Sequence, residues 1–205
     1  MSSAALDASD LDRLYDQPSE FITKGVLPRL LPFHLAYLRV ASFFCLATGN
    51  TAGLDASPRG GQPGFVHALD EKHVVFADWP GNNRIASLRN LTEDDRVGML
   101  FLFPGLEVFM RINGRATITD DPAVLGRFAE GTKTPKTAIV VTIDEVLFHC
   151  GKAINRAKLW SDASRLDRSS VPSPGEMKAA MAEQDANIVR TIDDAYYQSV
   201  RNNLY

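Results

Sequence analysis

Between residues 42 and 150, short apolar runs rich in β-branched residues follow one another at close spacing. Gly/Pro turns separate them, and only short helical patterns lie between. This spacing constrains the fold more than any other feature of the chain. A parallel βαβ unit needs a crossover of about a dozen residues or more for each strand pair. The runs at 42–48, 64–69, 73–78, 96–103, 107–119 and 137–150 leave little room for such crossovers. They predict an antiparallel, barrel-like sheet of about six strands with peripheral helices, mainly β within the α+β class.

Within that frame, 64–69 and 73–78 read as a hairpin joined by Asp70-Glu71-Lys72. Residues 49–64 hold five glycines and two prolines and read as a loop. The run 107–119 contains Asn113-Gly114, which fits either a hairpin turn or a bulge in one long strand. Residues 1–9 read as disordered and 10–16 as one short helix. Ser19 can cap a segment from Glu20, which Pro28 and Pro32 interrupt. Residues 33–40 form a helical pattern with Phe33, Ala36, Tyr37 and Val40 on one face.

Asn82 or Asn83 can cap a helix to about Leu91, and Asp121 can cap one over 122–129. Residues 161–174 form a polar linker. Ser173, Pro174 and Glu176 make a capping box, and a single helix is expected from there toward Ser199. Met177, Met181, Ile188, Ile192 and Tyr196 would lie on one stripe of it.

A chain of 205 residues suits one large domain, or one domain with appendages. Its net charge of −3 argues against a general nucleic-acid or acidic-membrane surface, so any anion site must be a local pocket. The N-terminus lacks a signal-peptide pattern, and no apolar stretch reaches the length of a membrane span. A cytoplasmic protein is expected, with Cys45 and Cys150 as buried free thiols. His34, His67, His73 and His149 show no metal-ligand spacing. His149 beside Cys150 reads better as a strand-end histidine than as a metal or haem ligand. The paired acids at 70–71, 94–95, 120–121 and 193–194 suit turns and caps.

Positive charge and forced turns concentrate at 55–90. Ser57-Pro-Arg59-Gly60-Gly61 and Gly81-Asn-Asn83-Arg84-Ile-Ala-Ser87 each combine glycine with one arginine. Glycine lets backbone approach an anion, and arginine offers a planar fork that matches phosphate. Asn83, Arg84 and Ser87 fall near the start of a helix, whose N–H groups add to such a site. The alternative is two surface turns with solvated arginines. Neither a GxxxxGK[ST] nor a GxGxxG motif after a strand is present.

Four segments together carry a family resemblance. They are Ser-Pro-Arg-Gly-Gly-x-Pro-Gly-Phe-Val at 57–66, Gly-Asn-Asn-Arg-x-x-Ser-Leu-x-Asn at 81–90, Arg-x-Asn-Gly-Arg-Ala at 111–116 and Cys-Gly-Lys-Ala-x-x-Arg-x-x-Leu-Trp at 150–160. Over roughly 35–160 the chain resembles the pyridoxamine 5′-phosphate oxidase-like FMN-binding proteins, and within them a flavin-nucleotide-binding subgroup.

The resemblance implies an antiparallel six-stranded split β-barrel with FMN at a homodimer interface. It divides the chain into an N-terminal helical extension (1–32), the FMN-binding barrel (33–160) and a linker with a C-terminal helix (161–205). It implies that Arg59 and Arg84 grip the FMN phosphate, with Ser57, Gly60, Asn83 and Ser87 as neighbouring contacts. Phe109 falls where the oxidases often place a flavin-facing glutamine, a departure. Arg111 matches a recurring strand arginine and favours the bulged strand over the hairpin. Lys158 and Trp160 resemble an element that reaches the flavin from the second subunit. Arg165-Leu166-Asp167-Arg168 lacks the histidine of the oxidases' substrate motif, which separates this chain from pyridoxamine phosphate oxidation. The expected activity is passage of electrons through FMN between a reduced donor and a small molecule or oxygen. A flavin carrier or sensor, or a barrel holding haem or a deazaflavin, are the alternatives.

Overall fold

The computed structural model describes residues 5–81, 83–182 and 186–204. Its centre is one antiparallel sheet of seven strands: β1 (Phe43–Asn50), β2 (Gly53–Gly60), β3 (Val66–Ala68), β4 (His73–Asp78), β5 (Arg96–Leu102), β6 (Val108–Thr119) and β7 (Thr137–Cys150). The strand order is β2-β1-β5-β6-β7-β4-β3, so the sheet is not closed by hydrogen bonds. Eight α-helices are described around it: α1 (Ala8–Leu14), α2 (Glu20–Lys24), α3 (Pro32–Val40), α4 (Ala86–Glu93), α5 (Pro122–Leu125), α6 (Lys152–Ala157), α7 (Pro174–Met181) and α8 (Val189–Asn202).

Seven strands replace the expected six because β2 occupies the segment read as a loop. It forms a hairpin with β1 around Thr51-Ala52, where the Asn50 side chain accepts the Ala52 N–H at 2.9 Å. Its Gly and Pro content is tolerable because β2 is an edge strand. Pro58 cannot donate to a ladder, and an edge strand leaves one side unpaired.

The core lies on one side of the sheet. Phe44, Met99, Phe101, Met110, Ile112, Val74, Phe76, Ile139, Val141 and Val146 alternate along their strands into it. Phe44 meets Phe76 edge-on at 5.0 Å and Phe101 at 5.1 Å. The opposite face carries Leu54, Cys45, Leu100, Phe109, Arg111 and Leu147.

The 107–119 ambiguity resolves as one strand. Asn113 pairs with Glu145 but Gly114 pairs with Ile143, so Asp144 is an extra residue on β7 opposite the Asn113–Gly114 step. The N-terminal segment joins the sheet just past this bulge, where Leu27 and Val146 exchange backbone hydrogen bonds of 3.0 and 2.7 Å.

Helix α3 forms where expected, but on a different face. His34 and Leu38 are buried, whereas Phe33 and Val40 are about half exposed. His34 turns inward because its Nδ1 accepts the Leu31 N–H at 2.9 Å, satisfying a helix-start donor. Its ring also stacks on Phe148 at 5.3 Å. Burial holds its pKa below the usual histidine value. The unfolded chain therefore takes up this proton first as pH falls. The stabilisation is complete above the unfolded value of about 6.5 and is lost progressively below it. Urea denaturation at pH 7.5 and 5.0 should show a loss whose slope reaches at most about 1.4 kcal/mol per pH unit from this group. His34→Asn, which keeps an acceptor but cannot titrate, should flatten that slope; an unchanged slope rules the assignment out.

Other local expectations need correction. Residues 8 and 9 are helical, because Asp7 caps α1 with a reciprocal box to Asp10. Ser19 sits at the start of α2 but makes no side-chain cap bond. Helix α4 begins at Ala86 behind a left-handed Ile85, so Asn83 does not cap it, and Asn82 lies outside the described residues. Cys45 is half-buried and Cys150 exposed, both as free thiols. The capping box at Ser173 and Glu176 is present, but the helix it opens ends at Met181. The chain folds back, and the Gly175 N–H donates to Asp193 at 2.7 Å. A Cβ on Gly175 would lie 2.4 Å from the Val189 carbonyl oxygen, so glycine permits this approach of α7 to α8. Met177 and Met181 are exposed, and the expected single stripe does not exist.

Candidate functional site

The sheet curls until β2 and β4, far apart in strand order, face each other across a groove of about 970 Å³. The chain crosses the mouth of this groove through Gly61–Phe65 on its way from β2 to β3. Because β2 is a strand, Asp55, Ser57 and Arg59 point to the same side, into the groove. Gly60, Asn83, Arg84 and Ser87 line the same space. Six of the residues expected from sequence thus converge: Ser57, Arg59, Gly60, Asn83, Arg84 and Ser87.

Arg59 is the hub. Its guanidinium donates to Ser57 Oγ at 2.5 Å, the Pro58 carbonyl at 2.9 Å and Ser87 Oγ at 3.3 Å. Ser87 Oγ in turn donates to Asp55 Oδ2 at 2.7 Å. Helix α4 is pinned behind this network, since the buried Asn90 donates to the buried Thr48 of β1 at 3.1 Å. Like that of Arg111 on the outer face, the Nε of Arg59 is buried without a partner among the described residues. A buried donor left unpaired costs about 1–3 kcal/mol, so this atom is poised for an acceptor.

Across the groove, Asp78 Oδ1 stands 3.9 Å from Arg59 Nη2. The gross attraction at that range is about 4 kcal/mol at an effective dielectric of roughly 20. Burial nevertheless pushes the Asp78 pKa above the usual carboxylate value, with Arg59 only partly opposing it. Desolvation wins here, and the ion pair is not a tight one. Farther along, His67 stacks on Phe128 at 4.5 Å. Burial, and then the charge of Arg127, lower its pKa, favouring a neutral ring. Asp55, Asp78, His67 and Phe128 were not foreseen as site residues. Period-two alternation of 55, 57 and 59 would have pointed to Asp55 had β2 been read as a strand; the other three carry no such signal.

The backbone beside the groove is unusual. Asn83 has φ 58° and Ile85 has φ 42°. Left-handed geometry is a true outlier for a β-branched residue. It lets the chain turn sharply through Asn83–Ile85 into α4, whose N-cap residue Ile85 offers no side-chain acceptor.

The other four expected residues do not enter the groove within one chain. Phe109 and Arg111 lie on the outer sheet face, Phe109 opposite His149. Arg111 donates to Glu145 at 3.0 Å, and Asn113 donates to the same oxygen at 2.7 Å. Lys158 closes α6 in a left-handed conformation, and Trp160 Nε1 donates to the Leu106 carbonyl at 2.8 Å. Arg165 to Arg168 lie in the exposed linker, where Asp167 caps a short turn and Arg168 sits over the Tyr197 ring. Among the described residues, no cluster of side chains could hold a metal ion, and no helix is long and apolar enough to cross a membrane.

An open antiparallel sheet with a groove at its split, lined by Arg59 and Arg84, places the chain in the α+β class. Residues 30–150, more than half of the chain, match the family model described as pyridoxamine 5′-phosphate oxidase, and the chain belongs to that family. No curated protein matches it. Among solved structures it is similar to HupZ of Group A Streptococcus, with 17% identity over 57% of this chain and 92% of that one, TM-score 0.46. It is also similar to an FMN-binding protein of Syntrophomonas wolfei, with 13% identity over 55% and 81% of the two chains, TM-score 0.43. General stress protein 26 of Bacillus anthracis gives 11% identity over 56% and 88%, TM-score 0.45.

Proposed function

We propose that the groove between β2 and β4 binds FMN, and that the protein is a flavin-dependent oxidoreductase acting as a homodimer. The observation that carries this reading is the buried Nε of Arg59, without a partner among the described residues, inside a groove that also gathers Arg84, Ser87, Gly60 and the first turn of α4. This donor set fits a phosphate. Arg59 and Arg84 would hold it, with Ser57, Asn83 and Ser87 beside them. FMN supplies two-electron chemistry when bound; the chain contributes binding and orientation.

The dimer explains the divided set of residues. Leu54 is 94% exposed and Leu100 and Trp160 37% each, on or beside the outer face that carries Phe109 and Arg111. A second copy on that face would bring Phe109, Arg111, Lys158 and Trp160 toward the partner's groove and complete the barrel-pair architecture of the family. Such a patch in one copy also marks an interaction surface.

The test is titration of purified full-length protein with FMN, followed by flavin fluorescence and by size-exclusion chromatography with light scattering. Saturable binding of one FMN per chain to a dimer is expected. A protein that leaves FMN fluorescence unchanged at high protein concentration ends the proposal. Stopped-flow mixing of the complex with NADH or NADPH then separates an enzyme, whose flavin bleaches, from a carrier.

A further inference from the structure

A site built only to hold a phosphate has no use for nearby carboxylates. This groove has two, Asp55 and Asp78, beside Arg59. Asp55 is occupied by the Ser87 hydroxyl. Asp78 is different: it comes from the opposite wall, on the last residue of β4, and faces Arg59 across 3.9 Å. That distance is too long for a hydrogen bond between them. It is the right span for one oxygen between them, at ordinary hydrogen-bond distance from each. Such an oxygen must accept from the guanidinium and donate to the carboxylate. An alcohol or a water does both; an unprotonated phosphate oxygen accepts from Arg59 but meets Asp78 as a like charge.

We propose that Asp78 is a specificity residue that accepts a hydrogen bond from a hydroxyl adjacent to the ligand's phosphate, so that the groove selects polyol phosphates and discriminates against bare anions. This deepens the FMN reading and rests on it, since the phosphate of FMN ends a hydroxylated chain. The side chains of Arg59 and Asp78 are only 20% and 23% exposed, so the bridge would form largely out of water, where such bonds discriminate most. Repulsion of simple anions supplies the other half of the selectivity. Besides Arg59, the cations Arg84, Arg127 and Lys136 line the groove, with Glu130, and Lys136 adjoins Thr137, the strand partner of Asp78.

Competition against FMN, read by fluorescence, tests this with two probes, ribitol 5-phosphate and inorganic phosphate. On the wild-type chain, ribitol 5-phosphate should bind at least about tenfold tighter, the worth of one hydrogen bond to a charged acceptor. Asp78→Ala should collapse that ratio toward one, chiefly by tightening inorganic phosphate. Asp78→Asn keeps a neutral acceptor and should narrow the ratio part-way; it carries the test if the alanine variant does not fold. Equal affinities for the two probes on the wild type overturn the proposal. So does a ratio that neither substitution changes. If FMN binds normally while the ratio fails, this inference falls alone. If neither FMN nor ribitol 5-phosphate binds, the FMN reading falls and takes it along.

Discussion

Gly114→Ala is expected to destabilise the protein by about 3 kcal/mol or more, the upper range for a forced steric clash. A Cβ built on Gly114 lies 2.0 Å from the Thr142 carbonyl oxygen and 3.0 Å from its carbon. Both are backbone atoms of the neighbouring strand, so no rotamer change can relieve the overlap. Either the β6–β7 ladder opens at its bulge or the strands separate, and this ladder is the longest in the sheet. The measurement is the urea midpoint, with Gly126→Ala as the matched control. A Cβ on Gly126 meets nothing within 4 Å, and its backbone is right-handed helical. That substitution should be neutral or slightly stabilising. Equal midpoints for the two variants would show that the close approach at Gly114 carries no energetic weight.

Arg59→Ala is expected to weaken FMN binding about a hundredfold. Arg59 supplies the partnerless Nε and organises Ser57 and Ser87. Loss of charge-assisted hydrogen bonds of this kind costs about 1.5–3 kcal/mol, or roughly ten- to a hundred-and-fifty-fold in affinity. Arg59→Lys should recover only a fraction. An ammonium restores the charge but not the fork that reaches Ser57 and Ser87 while aiming Nε into the groove. Fluorescence titration of the three proteins reads this directly. A less than threefold effect of Arg59→Ala would place the phosphate elsewhere.

Much of this architecture was legible from residue order. The runs at 73–78, 96–103, 107–119 and 137–150 match observed strands, the second ending one residue early at Leu102, because β-branched alternation and Gly/Pro boundaries agree there. Arg59 and Arg84 could be paired across a long stretch of sequence because both sit in turn-rich motifs, and the fold does bring both to one groove.

The misses share a cause: local chemistry that only the tertiary setting overrides. β2 carries loop-like Gly and Pro, yet an edge strand accepts them. With β2 unrecognised, the alternation that aligns Asp55 with Ser57 and Arg59 could not be seen. On α3, two apolar stripes compete; a histidine is an improbable core residue until its ring nitrogen accepts a helix-start N–H. Nor could period or propensity show that Asn83 would take a left-handed conformation instead of capping α4, or that α7 and α8 fold on each other with no breaker residue after Gly175. Asp78 looked like a strand terminus; its position opposite Arg59 depends on the curl of the whole sheet.

The strand order has a kinetic corollary. β2 joins β1 through a tight local hairpin, so the Arg59 wall of the groove rests on a contact of short sequence separation. β4 instead pairs with β7, where His73 meets Thr142 roughly seventy residues away. Closing such a loop costs entropy before any contact repays it, and long-range pairings of this kind are slow to form. The Asp78 wall therefore belongs to the late part of folding, and the groove is complete only after the two ends of the barrel sequence have met. A nascent or partly unfolded chain can hold the arginine without its opposing carboxylate, so the selectivity proposed for Asp78 would be acquired with the last long-range pairing.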